Sequence, residues 1–274
     1  MKFVYFGSFR LSAEILNHLV VCGFMPAAVV CSPDRPAGRK QVLTAPTIKT
    51  LILEKKWPIE IWQPESPPAV SDQLSALGAD LFIVMGYPRI IGADILAIPR
   101  LGTIGVHPSL LPKYRGASPI QSVLLAGEPE TGITLYQMDE KMDHGKIISN
   151  FKFPISNEDT NSILEEKCAE VAGKLLVETL PQFMAGKISS QEQDHSQATF
   201  TKKFTTADGE VDMGKDKPEI IYNKIRAFTP EPGVWTMNFP GREGVRVKLL
   251  AAKIAGGNLV VTKIQPAGKK PIVI

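Results

Sequence analysis

Between residues 2 and 107 the chain repeats short, uninterrupted apolar runs, KFVYFG, AAVVC, IEIW, DLFIVM and GTIGVH, with helical or turn segments between them. Such runs lack the polar alternation of a half-exposed strand, so both faces must be covered. A parallel sheet with helices on each side is the arrangement that covers them. The intervening segments agree. LSAEILNHLVVCG reads as an amphipathic helix closed by Gly23, and PTIKTLILEKK as a helix with Pro46 near its start. Its terminal lysines suit the negative end of the helix dipole. The expected fold is therefore α/β, doubly wound and Rossmann-like. Ligands of such sheets bind beyond the carboxyl ends of the strands, where Gly7, His107 and the loop after Met85 all fall.

Further along, GITLYQM and KIISNFKFPI read as late strands, the second antiparallel. NEDTNSILEEKCAEVAGKLLVETL reads as one long helix with Leu164, Cys168, Val171, Leu175 and Leu176 on a single stripe, and Pro181 is expected to end or kink it. SSQEQDHSQATFTKK is polar and linker-like. A helix around PEIIYNKIRAF and short strands broken by Gly and Pro then suggest a small, shortened β-barrel of the oligonucleotide-binding type. The expected division is 1–187, a linker over 188–204, and 205–274.

Charge separates along the same line. Residues 197–274 carry 13 Lys and Arg against 7 Asp and Glu, whereas residues 1–196 carry 18 against 21. A basic terminal part points to an anionic partner, nucleic acid being the commonest. No run of eighteen apolar residues suggests a membrane span, and MKFVYFG is a strand pattern rather than a leader. Three cysteines without metal or disulfide spacing imply a reduced, cytoplasmic protein.

Chemistry concentrates at two places. His107 ends a strand and precedes Pro108, in a loop stiffened by Pro112 and Gly116. Asp143 lies in an Asp-His-Gly turn, and a carboxylate beside an imidazole fixes its tautomer and raises its basicity, as a general base needs. His144 is the weaker candidate and should point to solvent. Ser109 has no nucleophile elbow around it, no ligand spacing suggests a metal, and the first turn, GSFRLS, is not a dinucleotide fingerprint.

The loop HPSLLPKYRG closely resembles the Ser-Leu-Leu-Pro-x-x-Arg-Gly signature of the folate-dependent formyltransferases, and MDHG resembles their Met-Asp-x-Gly. Within that family, SPDRPAGRKQVLTAPTIKTL, QPES, GASPIQSVLLAGEPETGITLYQMD, KIRAFTPEPGVWT and IQPAGKK resemble the members that formylate methionyl-initiator-tRNA. The resemblance implies a catalytic domain over 1–187, a tRNA-binding domain over 205–274, 10-formyltetrahydrofolate as co-substrate, initiator methionyl-tRNA as acceptor, no metal and a monomer. It makes His107 and Asp143 two of three catalytic positions. The third, an asparagine two residues before the histidine, is Gly105 here. Residues two apart on a strand share a face, so an asparagine at 105 would project beside His107. Losing one oxyanion donor typically costs about 2.7–4 kcal/mol. A formyltransferase with a substitute donor, a non-catalytic folate- or tRNA-binding relative, and an enzyme for another small amine such as an amino-sugar nucleotide all accommodate that glycine; the intact remainder of the signature favours the first.

The same resemblance implies folate-site positions at Met85, Gly86, Tyr87 and Ile90, at Ser109, Leu110, Leu111, Pro112, Arg115 and Gly116, and at Asp139 and Met142. Arg115 and Gly116 would shape the site rather than react, and Pro88-Arg89 departs from the glycine-containing loop the family pattern has. For tRNA it implies Arg35, Arg39 and Lys40 in the 34–45 loop, with Gln41 and Val42 where lysines are expected, and Lys202, Lys203, Arg226, Lys269 and Lys270 in the basic part.

Overall fold

A computed structural model describes residues 1–38 and 40–274. The chain begins with strand β1 (Phe3–Phe6), helix α1 (Arg10–Val21), β2 (Ala28–Val30), β3 (Arg35–Ala37), β4 (Val42–Thr44), α2 (Thr47–Lys55), β5 (Glu60–Trp62), α3 (Ser71–Leu77), β6 (Leu81–Val84), a short α4 (Ala93–Leu96) and β7 (Thr103–His107). Strands β1, β2, β5, β6 and β7 are the five apolar runs, and they pair in parallel. There follow β8 (Arg115–Gly116), α5 (Pro119–Ala126), β9 (Glu130–Gln137), β10 (Ile147–Pro154), α6 (Asn161–Met184), β11 (Phe200–Thr201), α7 (Pro218–Phe228), β12 (Val234–Thr236), β13 (Val247–Ala255), β14 (Asn258–Pro266) and β15 (Ile272–Val273).

The main sheet has the order β10-β9-β7-β6-β1-β2-β5. Winding leaves β1 in both directions, so the strand order reverses between β1 and β6, and the Met85 amide bonds to Phe6 O at 2.9 Å where those strands end. The direction of the sheet changes at β9, which runs antiparallel to β7. Val4, Phe6, Val30, Phe82 and Val84 share a buried cluster with Leu74, Ile91 and Ile95. Each such side chain contributes roughly 1.5–3 kcal/mol by leaving water.

By internal contacts the chain forms two compact units. The first holds 1–115, 132–152 and 166–198, the second 116–131, 153–165 and 199–274. The polar stretch read as a linker begins in the first unit: the backbones of Gln191 and Ile147 exchange hydrogen bonds at 2.7 and 2.8 Å, and Gln193 is buried. In the second unit α5 packs on α7, α7 packs on β13, and β12-β13-β14-β15 make an antiparallel four-stranded sheet. The small C-terminal β-domain is thus present. Pro181 does not end the long helix, since α6 runs on to Met184. A proline so near the helix end removes one donor, while buried Leu176 and Leu180 keep that face packed. Among the described residues no helix is long and apolar enough to cross a membrane.

Candidate active site

The register of β7 against β9 sets the site. Gly105 lies opposite Tyr136 and His107 opposite Thr134, so these four residues share one face of the sheet. His107 is 5% exposed. Its Nε2 lies 2.8 Å from the carbonyl oxygen of Tyr114. A carbonyl can only accept, so Nε2 carries the hydrogen and Nδ1 is the basic atom. Nδ1 faces Asp143 Oδ2 at 3.6 Å, too far for a direct hydrogen bond but close enough to stabilise an imidazolium in a buried setting. Thr134 fastens the loop beyond His107: its hydroxyl donates to Ser109 O at 2.7 Å and accepts from the Leu111 amide at 3.1 Å.

Asp143 is held at both its main chain and its side chain. Gln193 Nε2 donates to Asp143 O at 3.0 Å and to Gly145 O at 2.7 Å, and Arg115 donates to Gln193 Oε1 at 2.6 Å. The Tyr136 hydroxyl donates to Asp143 Oδ1 at 2.7 Å. Burial first, and then the Asp143 charge, push the Tyr136 phenol well above its ordinary range, so it stays protonated as a donor. The glycine of the turn is a matter of space: a Cβ on Gly145 would stand 1.8 Å from Gln137 O. Both groups that clasp His107 are carried by residues in the left-handed region, Tyr114 at φ 60° and Asp143 at φ 50°. Backbone held this way, by several independent contacts, is characteristic of preorganised sites.

His144 does not point to solvent as expected. Its Nδ1 meets Asp139 Oδ2 at 2.7 Å, and its ring stacks on His195 at 4.0 Å. His195 in turn sits 2.9 Å from Arg115. Arg115 is thereby committed to the supporting network, and the position of Gly116 is set by Thr201, whose carbonyl oxygen a Cβ would meet at 2.7 Å. Ser109 is fully buried with its hydroxyl donated to Lys113 O, so its side chain braces the loop and is not offered to a ligand.

The remaining folate positions divide by exposure. Met85 and Leu111 are buried, Gly86, Tyr87, Leu110 and Pro112 are partly so, while Asp139 is exposed and Ile90 and Met142 are 91% and 60% exposed. A concave surface of about 510 Å³, lined by Leu96, Ala97, Met138, Asp139, Lys141 and His144, lies between α4 and the 138–144 turn.

Of the cations expected at tRNA, Lys40, Lys203, Lys269 and Lys270 are exposed. Arg35 lies on the β3–β4 hairpin paired with Glu65, and Lys202 is paired with Asp208. Arg39 lies outside the described residues. Arg226 is a correction: it is 6% exposed, with Nε donating to Asp159 O at 2.9 Å, because it sits on the buried face of α7. Sequence reasoning missed Tyr114, Tyr136, Gln193 and His195. Tyr136 had one signal, an aromatic hydroxyl on a buried strand seven residues before Asp143; Gln193 had none.

A family model for formyl transferases matches residues 1–180, and one for the formyl transferase C-terminal domain matches 203–258. The methionyl-tRNA formyltransferase of Thermotoga maritima (strain ATCC 43589) is 39% identical over 273 residues, covering 99% of this chain and 82% of that one. That of Listeria monocytogenes serotype 4b (strain CLIP80459) is 37% identical over 290 residues, covering 98% and 92%. Among solved structures, an N-formyltransferase from Helicobacter canadensis, in complex with folinic acid and dTDP-3-aminofucose, superposes with a TM-score of 0.67 at 16% identity, covering 100% of this chain and 98% of that one. A variant of HypX from Aquifex aeolicus superposes at 0.68 and 17% identity, covering 100% and 47%. At those identities the likeness concerns the fold.

Proposed function

The chain belongs to the formyl transferase family, and we propose that it moves the formyl group of 10-formyltetrahydrofolate to the α-amino group of methionyl-initiator-tRNA. The observation that carries this reading is the 37–39% identity to methionyl-tRNA formyltransferases along 98–99% of the chain.

In this reading the amine nitrogen attacks the formyl carbon, a new C–N bond forms, and the carbonyl electron pair moves to oxygen. His107 Nδ1 takes the amine proton. Collapse of the tetrahedral intermediate restores the carbonyl, breaks the bond to N10 of the folate, and returns that proton from Nδ1 to N10. The imidazolium formed in between is met by the Asp143 carboxylate on one side and the Tyr114 carbonyl on the other. Fixed dipoles in a buried site hold such charge with little reorganisation. The concave surface beside α4 would take the flat pterin, with apolar contact from Leu96 and Met138 and a carboxylate, Asp139, at its edge. Exposed lysines of the basic C-terminal part would meet tRNA phosphates.

The test is a transfer assay with 10-formyltetrahydrofolate and methionyl-initiator-tRNA, run beside a dTDP-amino sugar. Formylation of the tRNA is expected, and His107→Ala should lower the rate about 10²–10⁴-fold, the usual worth of general acid–base catalysis. Transfer to the amino sugar alone would refute the acceptor.

A further inference from the structure

Gly105 has no backbone need to be glycine, since it is not among the positive-φ residues. It is glycine for want of room. A Cβ built there would stand 2.4 Å from Cε1 and Cζ of Tyr136 and 2.7 Å from its hydroxyl. The obstruction is not a flexible tip: the tyrosine is 4% exposed and its hydroxyl is tied to Asp143. The two residues are direct partners across β7 and β9, so the ring lies over the glycine as an aromatic does when it covers a strand glycine from the neighbouring strand. The space that a side chain at 105 would occupy is therefore filled from β9.

We propose that Tyr136 is a positioning residue for formyl transfer, filling the space over Gly105 with its ring and holding Asp143 toward His107 with its hydroxyl. The inference rests on the formyl-transfer reading above. The hydroxyl occupies Oδ1 of Asp143 and leaves Oδ2 as the oxygen that faces His107 Nδ1. A carboxylate with both oxygens free could turn away from a partner 3.6 Å distant; one anchored at Oδ1 has a fixed second oxygen. Gln193 holds the backbone of the same residue, so side chain and main chain are restrained separately. The active site thus keeps a polar group on this face, supplied by the opposite strand and directed at the aspartate.

This makes Gly105→Asn alone a damaging change, because asparagine must push the ring aside and break the bond to Asp143. Pairing it with Tyr136→Leu vacates the ring's place.

The experiment compares native protein, Tyr136→Phe, Gly105→Asn and Gly105→Asn/Tyr136→Leu in steady-state formyl transfer, with ring-¹⁵N-labelled histidine in the first two. Tyr136→Phe keeps the ring and removes only the hydroxyl. Its kcat should fall about 10- to 100-fold, the range for losing a hydrogen bond to a charged group, with both KM values within about twofold of native. The double variant should exceed Gly105→Asn. Native kcat in Tyr136→Phe, a loss confined to KM, or Gly105→Asn as active as native would each overturn the proposal. If the native protein formylates no methionyl-tRNA, the functional reading fails by itself and the His107 ring signals decide this one. A change in them between native and Tyr136→Phe sustains it, and identical signals overturn it.

Discussion

On the β7–β9 face the polar side chains are buried and committed. His107 is 5% exposed and Thr134 0%, and each has a named partner. Along β13 and β14 the polar side chains are handled oppositely: Lys248, Lys253 and Lys263 alternate outward into water, as Lys269 and Lys270 do in the turn before β15. Under the proposed function, the contrast follows from what each region would bind. A charge that exists only during a reaction is stabilised by dipoles fixed beforehand in low dielectric. A polyanion that is charged throughout is drawn by hydrated cations whose release of counterions drives binding. Rigidity serves the first region and exposure the second, and the two should respond differently to substitution and to salt.

The sharpest way to break the contrast is at Gln193, which carries no charge and touches no reacting atom in the proposed mechanism. Gln193→Leu leaves the carbonyls of Asp143 and Gly145 and the Arg115 guanidinium without this partner. Stability should drop by about 2–3 kcal/mol, read as a denaturant midpoint. Activity per folded molecule should drop at least tenfold as the turn loosens. A Gln193→Leu protein with native activity would show that the turn is held adequately without it, and that fixing it in advance is not what the buried region is for.

Arg226 tests the comparison from the other side, as a cation of the basic part that behaves like the buried region. Its pKa is depressed by burial, and its ring neighbour is Tyr222, 5.6 Å away. Arg226→Met should cost about 1–2 kcal/mol of stability by removing the hydrogen bond from Nε to Asp159 O, and leave the salt dependence of tRNA binding unchanged. A shallower salt slope at native stability would return Arg226 to the nucleic-acid surface.

Arg226 also marks how far the chain could be read without coordinates. The five parallel strands were legible because continuous apolar runs admit few other arrangements, and His107 and Asp143 because a signature fixes their spacing. Tyr136 was not, since an aromatic inside GITLYQM reads as core. Only the β7–β9 register sets it against Gly105, and register belongs to a pair of strands rather than to either one. Gln193 was hidden in a polar stretch whose composition says linker, because a buried amide with every hydrogen bond met looks in sequence like an exposed one. Arg226 read as surface because charge is visible in sequence and the direction of a helix face is less so.

Lys269→Ala/Lys270→Ala should behave as surface in the strict sense. Stability should stay within about 0.5 kcal/mol of native. Affinity for tRNA should weaken, and the slope of log K against log salt should become shallower by about 1 for each phosphate that is no longer neutralised, while kcat at saturating tRNA holds. Unchanged affinity would move the binding surface elsewhere in the basic part.

The smallest effect is expected at Asp208, where the basic region neutralises one of its own cations. The Lys202 ammonium, with the Thr205 amide and hydroxyl, holds the Asp208 carboxyl down to about 2 from its ordinary 3.8. A carboxyl depressed on folding contributes stability that is fully present above its ordinary value and is lost as pH falls through the folded one. Asp208→Asn should therefore be less stable than native near neutrality, and the difference should close between about pH 4 and pH 2 in paired denaturation curves. The same substitution releases Lys202, so tRNA binding should tighten slightly and grow more salt-dependent. If both changes appear together, the ion pair is a device that gives up one phosphate partner for local order. If stability falls and binding does not move, Lys202 never faced the nucleic acid, and the exposed cations that do are fewer than the net charge of the region implies.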